Sequence, residues 1–305
     1  MRMILPSFCG VSPRSDWRIA RSISPIALRS NGWTTSNLGS GARVVDTAPM
    51  TLDEIPTLAI PACYVALLAV EQSWPARQFP PRSWWKLTGA AFFLLMGAVS
   101  ALVPLALPAE WLARIRLLDL SGLGVLGGVV VGQLAATFAA YWWHRAEHRF
   151  DLLWRGFHQL HHSPQRVDLS GFVLTHPLEM PVTVGLSLVV TLGVLGLDPR
   201  AAAIVGFLSA LNGMIQHINL ATPRWLAVLA QRPEAHCLHH ERGVHARNYS
   251  DLPLWDWLFG TFANPARFSG AVGFDAPADR RILAMLAFHD VNGPTAPLGQ
   301  SAARP

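Results

Sequence analysis

Residues Ser121–His148 read SGLGVLGGVVVGQLAATFAAYWWHRAEH. The stretch Ser121–Trp143 carries no formal charge, and a helix needs ~20 such apolar residues to cross a hydrocarbon core ~30 Å thick. Without a break it runs into His144-Arg145-Ala146-Glu147-His148. If the helix persists, the two imidazoles lie at i and i+4 and stack on one face about a turn apart, within reach of one metal ion. A membrane span that ends in a pair of metal ligands is therefore the reading from which the rest of the chain is organised.

Composition agrees with a membrane protein. Of the 305 residues 51% are hydrophobic and only 14% charged, and the mean hydropathy is +0.30; soluble chains carry roughly 25% charged residues. This excludes a disordered protein and a nucleic-acid binder. The formal charge of +5 does not rescue the latter, because residues 1–49 hold Arg2, Arg14, Arg18, Arg21, Arg29 and Arg43 against Asp16 and Asp46. Cys9, Cys63 and Cys237 are too few and too far apart for a disulfide framework or a four-cysteine zinc site.

Further runs without formal charge are Leu87–Leu107, Ile55–Val70 with Pro56 and Pro61 inside it, and Met180–Leu197 and Ala201–Gln216. The last two, separated by Asp198-Pro199-Arg200, read as a tight helical hairpin. Trp74, Trp84, Trp85, Trp111, Trp142 and Trp143 stand at the ends of these runs, where aromatic belts form. Arg and Lys in the intervening loops put the region after Trp143 in the cytoplasm and the 108–120 loop outside. The expected fold is all-α: an integral membrane bundle of about four to five helices with a cytoplasmic helical cap carrying a histidine-rich di-metal site. Residues 1–49 are a disordered leader, transit-peptide-like in composition, or a mis-assigned start, since six external arginines violate the positive-inside rule and a start at Met50 does not. Residues 50–143 hold the N-terminal membrane helices, 144–265 the histidine-bearing region including the membrane hairpin 180–216, and 266–305 a tail, partly disordered.

Eight of the 12 histidines fall in three clusters. His144 and His148 are the first. His158-Gln159-Leu160-His161-His162 is the second, and its HxxHH spacing recurs at His236-Cys237-Leu238-His239-His240. Adjacent imidazoles buried beside a membrane repel one another if charged and are costly if unsatisfied; metal binding removes both problems. One zinc takes four ligands, so this many imidazoles imply two ions, and imidazole alone does not choose between Zn, Fe, Cu and Ni. His217, at the end of the last apolar run, joins the expected ligands; His176 and His245 are placed to join or support them, and His289 reads as an ordinary polar residue. Glu147, Asp151, Asp168, Glu179, Glu234 and Asp256 are the carboxylates available to orient the imidazoles.

The ordered set His144-xxx-His148, His158-xx-His161-His162, His176-Pro177-Leu178-Glu179, Gln216-His217-Ile218-Asn219, His236-xx-His239-His240, Asn248-Tyr249 and Leu254-Trp255-Asp256-Trp257-Leu258-Phe259-Gly260-Thr261 resembles the fatty acid hydroxylase / sterol desaturase superfamily over about residues 60–265. The resemblance implies that 144–265 is the catalytic region and that the histidines hold two iron ions at the cytoplasmic face of a four-helix membrane bundle. It also implies that the chain uses O₂ to hydroxylate or desaturate a lipid: a sterol, a fatty acid or a related apolar chain. No GxGxxG after a strand and no CxxC spacing occurs, so electrons are expected from an external ferredoxin or cytochrome/reductase. The membrane expected is the bacterial inner membrane. Two other readings stay open on the residues alone: a membrane di-zinc metallohydrolase, in which a metal activates water, and a metal transporter. Against them, the motifs are almost pure histidine, and the spans lack the midplane charges of transporters.

Overall fold

The computed structural model describes residues 55–292, with side chains from residue 59. The expected leader, the Met50 start and the end of the tail lie outside the described residues. Within them the chain is helical, and no β-strand occurs; one isolated antiparallel bridge joins Glu241 to Val272. The helices in chain order are α1 (Ile55–Ser73), α2 (Trp85–Leu102), α3 (Ala109–Arg114), α4 (Gly124–Arg149), α5 (Asp151–Leu153), α6 (Gln159–His162), α7 (Glu179–Leu188), α8 (Pro199–His217), α9 (Pro233–His239), α10 (Pro253–Leu258) and α11 (Ile282–Leu286). A π-helical turn, Trp154–His158, joins α5 to α6, and another, Val189–Val194, extends α7.

Among the described residues two helices are long and apolar enough to cross a membrane, Trp85–Ala106 and Ser121–Arg149. They correspond to two of the runs read from the sequence. The other expected spans are helical but miss that length or that apolarity: Ala59–Ser73 and Glu179–Val194 are shorter apolar helices, and α8, at 19 residues, is long enough but less apolar. Pro61 lies inside α1. The hairpin 180–216 forms as α7 and α8 with a turn at 195–198 in which Gly196 takes φ 58°. Asp198 caps α8 by accepting from the Arg200 N–H at 2.8 Å, with Pro199 in the first helical position.

α8 lies against α4 because α4 is small there. A Cβ on Gly128 would come within 2.8 Å of the Ala201 Cβ, and one on Gly132 within 2.8 Å of Leu197 Cδ1 and 2.9 Å of Val205 Cγ2. Small residues let two apolar helices approach closely, which is how helices associate where water supplies no driving force between them. Three polar links tie α1, α2 and the segment between them to the backbone around residues 168 and 219. Glu71, buried at the end of α1, accepts from the backbone N–H groups of Leu169 and Asn219, both at 2.8 Å. Asn219 exchanges bonds with the backbone of Arg77. The Trp85 indole donates to Asp168 at 2.8 Å, and Arg166 pairs with the same carboxylate. The C-terminal stretch through Asn292 packs back onto the helices, with Phe274, Met285 and Val291 joining Trp85, Trp154, Leu160 and Leu174 in one apolar cluster.

Gly89 and Gly97 provide a controlled test on one helix. A Cβ on Gly89 would meet the backbone oxygen of Ser170 at 2.4 Å, whereas nothing lies within 4 Å of one on Gly97. Gly89→Ala is expected to destabilise the chain by about 1–3 kcal/mol, the usual range for overpacking. Gly97→Ala should be neutral or slightly stabilising. Melting of the detergent-solubilised protein, followed by size exclusion after heating, checks the contrast.

Candidate metal centre

Four segments deliver the clustered histidines to one place. The last two turns of α4 carry His144 and His148, and α8 ends on His217. The π turn and α6 carry His158, His161 and His162, while α9 and its C-cap carry His236, His239 and His240. A π turn carries an extra residue per turn and is frequent at functional sites; here it carries His158 and leads into α6. His144 is half-buried and the other eight are buried.

The nine side chains fall into two groups. His144, His148, His158, His162 and His239 present ligand atoms within 4.8 Å of one another; so, separately, do His161, His217, His236 and His240. The HxxHH motifs are divided crosswise between them. His158 and His162, an i, i+4 pair, go to the first group and His161 to the second; His236 and His240 go to the second and His239 to the first. The groups touch through the His162 and His240 rings, stacked at 4.0 Å.

Backbone carbonyls decide which ring nitrogen carries the proton. A carbonyl oxygen only accepts, so His144 Nδ1–H donates to Tyr249 O at 2.6 Å, His239 Nδ1–H to Arg247 O at 2.6 Å and His217 Nδ1–H to Gly213 O at 2.7 Å. Their Nε2 atoms therefore carry lone pairs. Those of His144, His148 and His239 are buried without a hydrogen-bond partner. In the second group His217 Nε2 lies 3.1 Å from His161 Nε2 and 3.0 Å from His236 Nε2, and His240 Nε2 lies 3.0 Å from His236 Nε2. One proton can relieve one such contact. A cation at the centre relieves all of them, and the donor set, all imidazole, suits a late first-row divalent metal. The residues fit two ions.

Burial holds the imidazoles of His161, His162, His236, His239 and His240 well below the ordinary value of 6.5, and repulsion among neighbouring histidines adds to it. They are thus neutral, as ligands must be.

The carboxylates named from sequence take different places. Glu179 Oε1 lies 3.2 Å and Glu147 Oε2 3.5 Å from His158 Nδ1, the outer nitrogen of that ligand. Asp151 pairs with Arg155, and Glu234 with Arg232 and Thr222. Asp256, fully buried, touches no imidazole; it accepts from Tyr249 N at 2.7 Å, Ser250 N at 2.9 Å and the Thr261 hydroxyl at 2.7 Å. It holds the loop whose carbonyls receive His144 and His239. That loop contains three non-glycine residues with positive φ, His245 (44°), Arg247 (69°) and Asn248 (49°), a strained backbone of the kind kept where carbonyls must be aimed. The sequence did not reveal these carbonyls, because any residue supplies one.

His176 and His245 are outside both groups. His176 accepts from the Leu178 N–H at 3.2 Å, faces Leu286 O at 3.3 Å and lies against Phe288. His245 places Nδ1 3.0 Å from His162 Nδ1, on the side of that ring opposite His158, and so stands against the outer edge of the first group.

Comparison with known proteins follows the same residues. Residues 129–261 match the family described as fatty acid hydroxylase. The chain is 31% identical over 164 residues to ornithine lipid hydroxylase OlsE of Rhizobium tropici, covering 52% of this chain and 49% of the relative. It is 32% identical over 136 residues to alkylglycerol monooxygenase of Danio rerio, covering 43% and 29%. It is 29% identical over 129 residues to a sphingolipid C4-hydroxylase of Schizosaccharomyces pombe, covering 41% and 44%. The match thus spans about half or less of these curated relatives. No solved structure matches the chain.

Two expectations follow. Alanine at His217 or His236 should remove the ion of the second group and leave the first, halving the metal measured by mass spectrometry of purified protein, whereas His176→Ala should leave the amount unchanged. The second concerns pH. His161, His162, His236, His239 and His240 have folded pKa values below their unfolded ones, so the unfolded state binds more protons and stability rises with pH. Their contribution should be intact above about pH 6.5, the free histidine value, and be lost progressively as pH falls below it. Melting temperature and retained metal, scanned from neutral to acid pH, should fall together.

Proposed function

We propose, for a chain whose residues 129–261 form a fatty acid hydroxylase domain, that it is a membrane-bound di-iron oxygenase that inserts oxygen into, or desaturates, a lipid. The observation that carries this reading is the pair of imidazole groups at the end of a membrane-length helix. His144, His148, His158, His162 and His239 would hold one iron ion and His161, His217, His236 and His240 the other. Two irons so bound supply the reduction of O₂ and the removal of hydrogen from an unactivated C–H bond.

The protein's own part is positioning and exclusion. The carbonyls of Arg247, Tyr249 and Gly213 hold protons at the outer Nδ1 atoms and so keep the inner nitrogens basic. Glu147 and Glu179 face His158 Nδ1 and do the same for that ring. Burial of eight of the nine imidazoles keeps water from the reacting centre. The Tyr249 ring lies 5.3–5.6 Å from those of His144, His148 and His239 and forms an apolar wall against which a chain can lie.

We place α1, α7 and α8 beside α2 and α4 in the bilayer, giving the four to five membrane helices read from the sequence, with the metal groups on the cytoplasmic side of a bacterial inner membrane. Electrons come from an external ferredoxin or cytochrome/reductase. The names of the relatives support a polar-headed membrane lipid as substrate.

The test is expression in a bacterial host followed by mass spectrometry of the extracted lipids. Wild-type chain should yield, only in air, lipids one oxygen atom heavier or two hydrogens lighter, and the purified protein should contain iron. His239→Ala should remove the product while the protein stays in the membrane. Tightly held zinc and no O₂-dependent product would overturn the reading.

A further inference from the structure

A row of exposed apolar side chains runs the length of α4 at four-residue spacing: Leu126, Val130, Leu134, Phe138 and Trp142. It does not stop where the helix leaves the apolar run. Phe138 meets the Trp255 ring and Trp142 the Phe259 ring, each at 5.0 Å, and the Trp255 indole donates to the Thr137 hydroxyl at 2.9 Å. α10 is thereby fastened to the flank of α4. Its outer side exposes Leu254, Trp257 and Leu258. The 3₁₀ turn Arg224–Val228 packs against α10 and exposes Trp225 and Val228, with Leu229 following. Val228 is 82% and Trp257 71% exposed, too much for side chains meant for water when so many are contiguous. Cations rim the patch: the exposed Arg224, and Arg145, whose guanidinium lies 5.4 Å from the Trp142 ring.

Depth identifies the occupant. From Leu123 to Trp142 is about 28 Å of helix at 1.5 Å per residue, close to the ~30 Å thickness of a hydrocarbon core. Trp142 then stands at the membrane surface, and α10 and the 224–228 turn lie beside it at the same level. Tryptophan and arginine flanking aliphatic side chains is the composition of segments that lie in the interfacial layer.

We propose that residues 224–229 and 253–258 form a collar embedded in the interfacial layer of the bilayer, which fixes the histidine groups at the depth of the lipid headgroups. His144 is two residues beyond Trp142, so the collar and the first imidazole group share one turn of α4. The inference rests on the reading of α4 as a membrane span.

The experiment uses the full chain in nanodiscs of phosphatidylcholine and phosphatidylglycerol, with Cys9 and Cys63 replaced by serine. Spin labels are placed singly through Leu134→Cys, Val228→Cys, Trp257→Cys and Asp275→Cys; Asp275, 82% exposed, serves as the water reference. The labels at 228 and 257 should collide with O₂ over a water-soluble nickel chelate severalfold more than the label at 275, approaching the value at 134. Chelate collisions at 228 and 257 equal to those at 275, with 134 still lipid-immersed, would overturn the collar and keep the span. Water exposure at 134 as well would overturn both. Shielding from both reagents with spin–spin broadening would mean a second copy covers the patch, and would also overturn the collar. Independently, Trp225→Phe and Trp257→Phe should each lower the fluorescence quenching by brominated lipids; unchanged quenching would overturn the proposal without relying on the labels.

Discussion

Nine imidazoles can be buried together only if the nitrogens that face one another carry no protons and meet positive charge. That requirement governs the structure around residues 144–262. The inner lone pairs exist because the outer nitrogens are obliged to donate, and they are obliged to donate because backbone carbonyls of Gly213, Arg247 and Tyr249 stand against them. The Arg247 and Tyr249 carbonyls in turn depend on a loop with three left-handed non-glycine residues, which Asp256 fastens through two backbone N–H groups, while that of Gly213 belongs to α8 itself. Asp256 is thus connected to the centre at two removes, while contacting no ligand.

The same helix meets two opposed demands. Along most of its length α4 offers one apolar row outward and a glycine seam, Gly128 and Gly132, to α8. In its last two turns it turns ligands inward. α8 is drawn close by that seam and ends on His217, so the packing of two apolar helices fixes where an imidazole of the second group stands. Packing between the two helices and the placement of the imidazoles are therefore coupled through the continuous helical backbone of α4 and α8. On the other side of the centre, Glu71 holds the backbone at Asn219, two residues past His217, and at Leu169, tying α1 to the same ligand segment.

The crosswise use of the two HxxHH motifs links the groups mechanically. Each motif sends its i, i+4 pair to one group and its i+3 member to the other, so neither α6 nor α9 can shift without disturbing both. The stacked His162 and His240 rings are the point of contact.

The sequence by itself determined the helical class, the two long apolar helices and the nine histidines that converge, because hydropathy and a repeated i, i+3, i+4 spacing are local properties that survive any arrangement of the chain. It also separated those nine from His289. It did not divide them into five and four, since the division depends on how four segments distant in the chain are brought together by packing. It offered Asp256 as a partner for an imidazole, whereas the folded loop uses it to aim carbonyls; backbone acceptors leave no trace in residue identity. His245 and His176 looked alike as neighbours of the clusters, yet one stands against His162 and the other against Leu178 and Phe288. Only tertiary structure decides between such residues, because the distances that matter are between segments far apart in the chain.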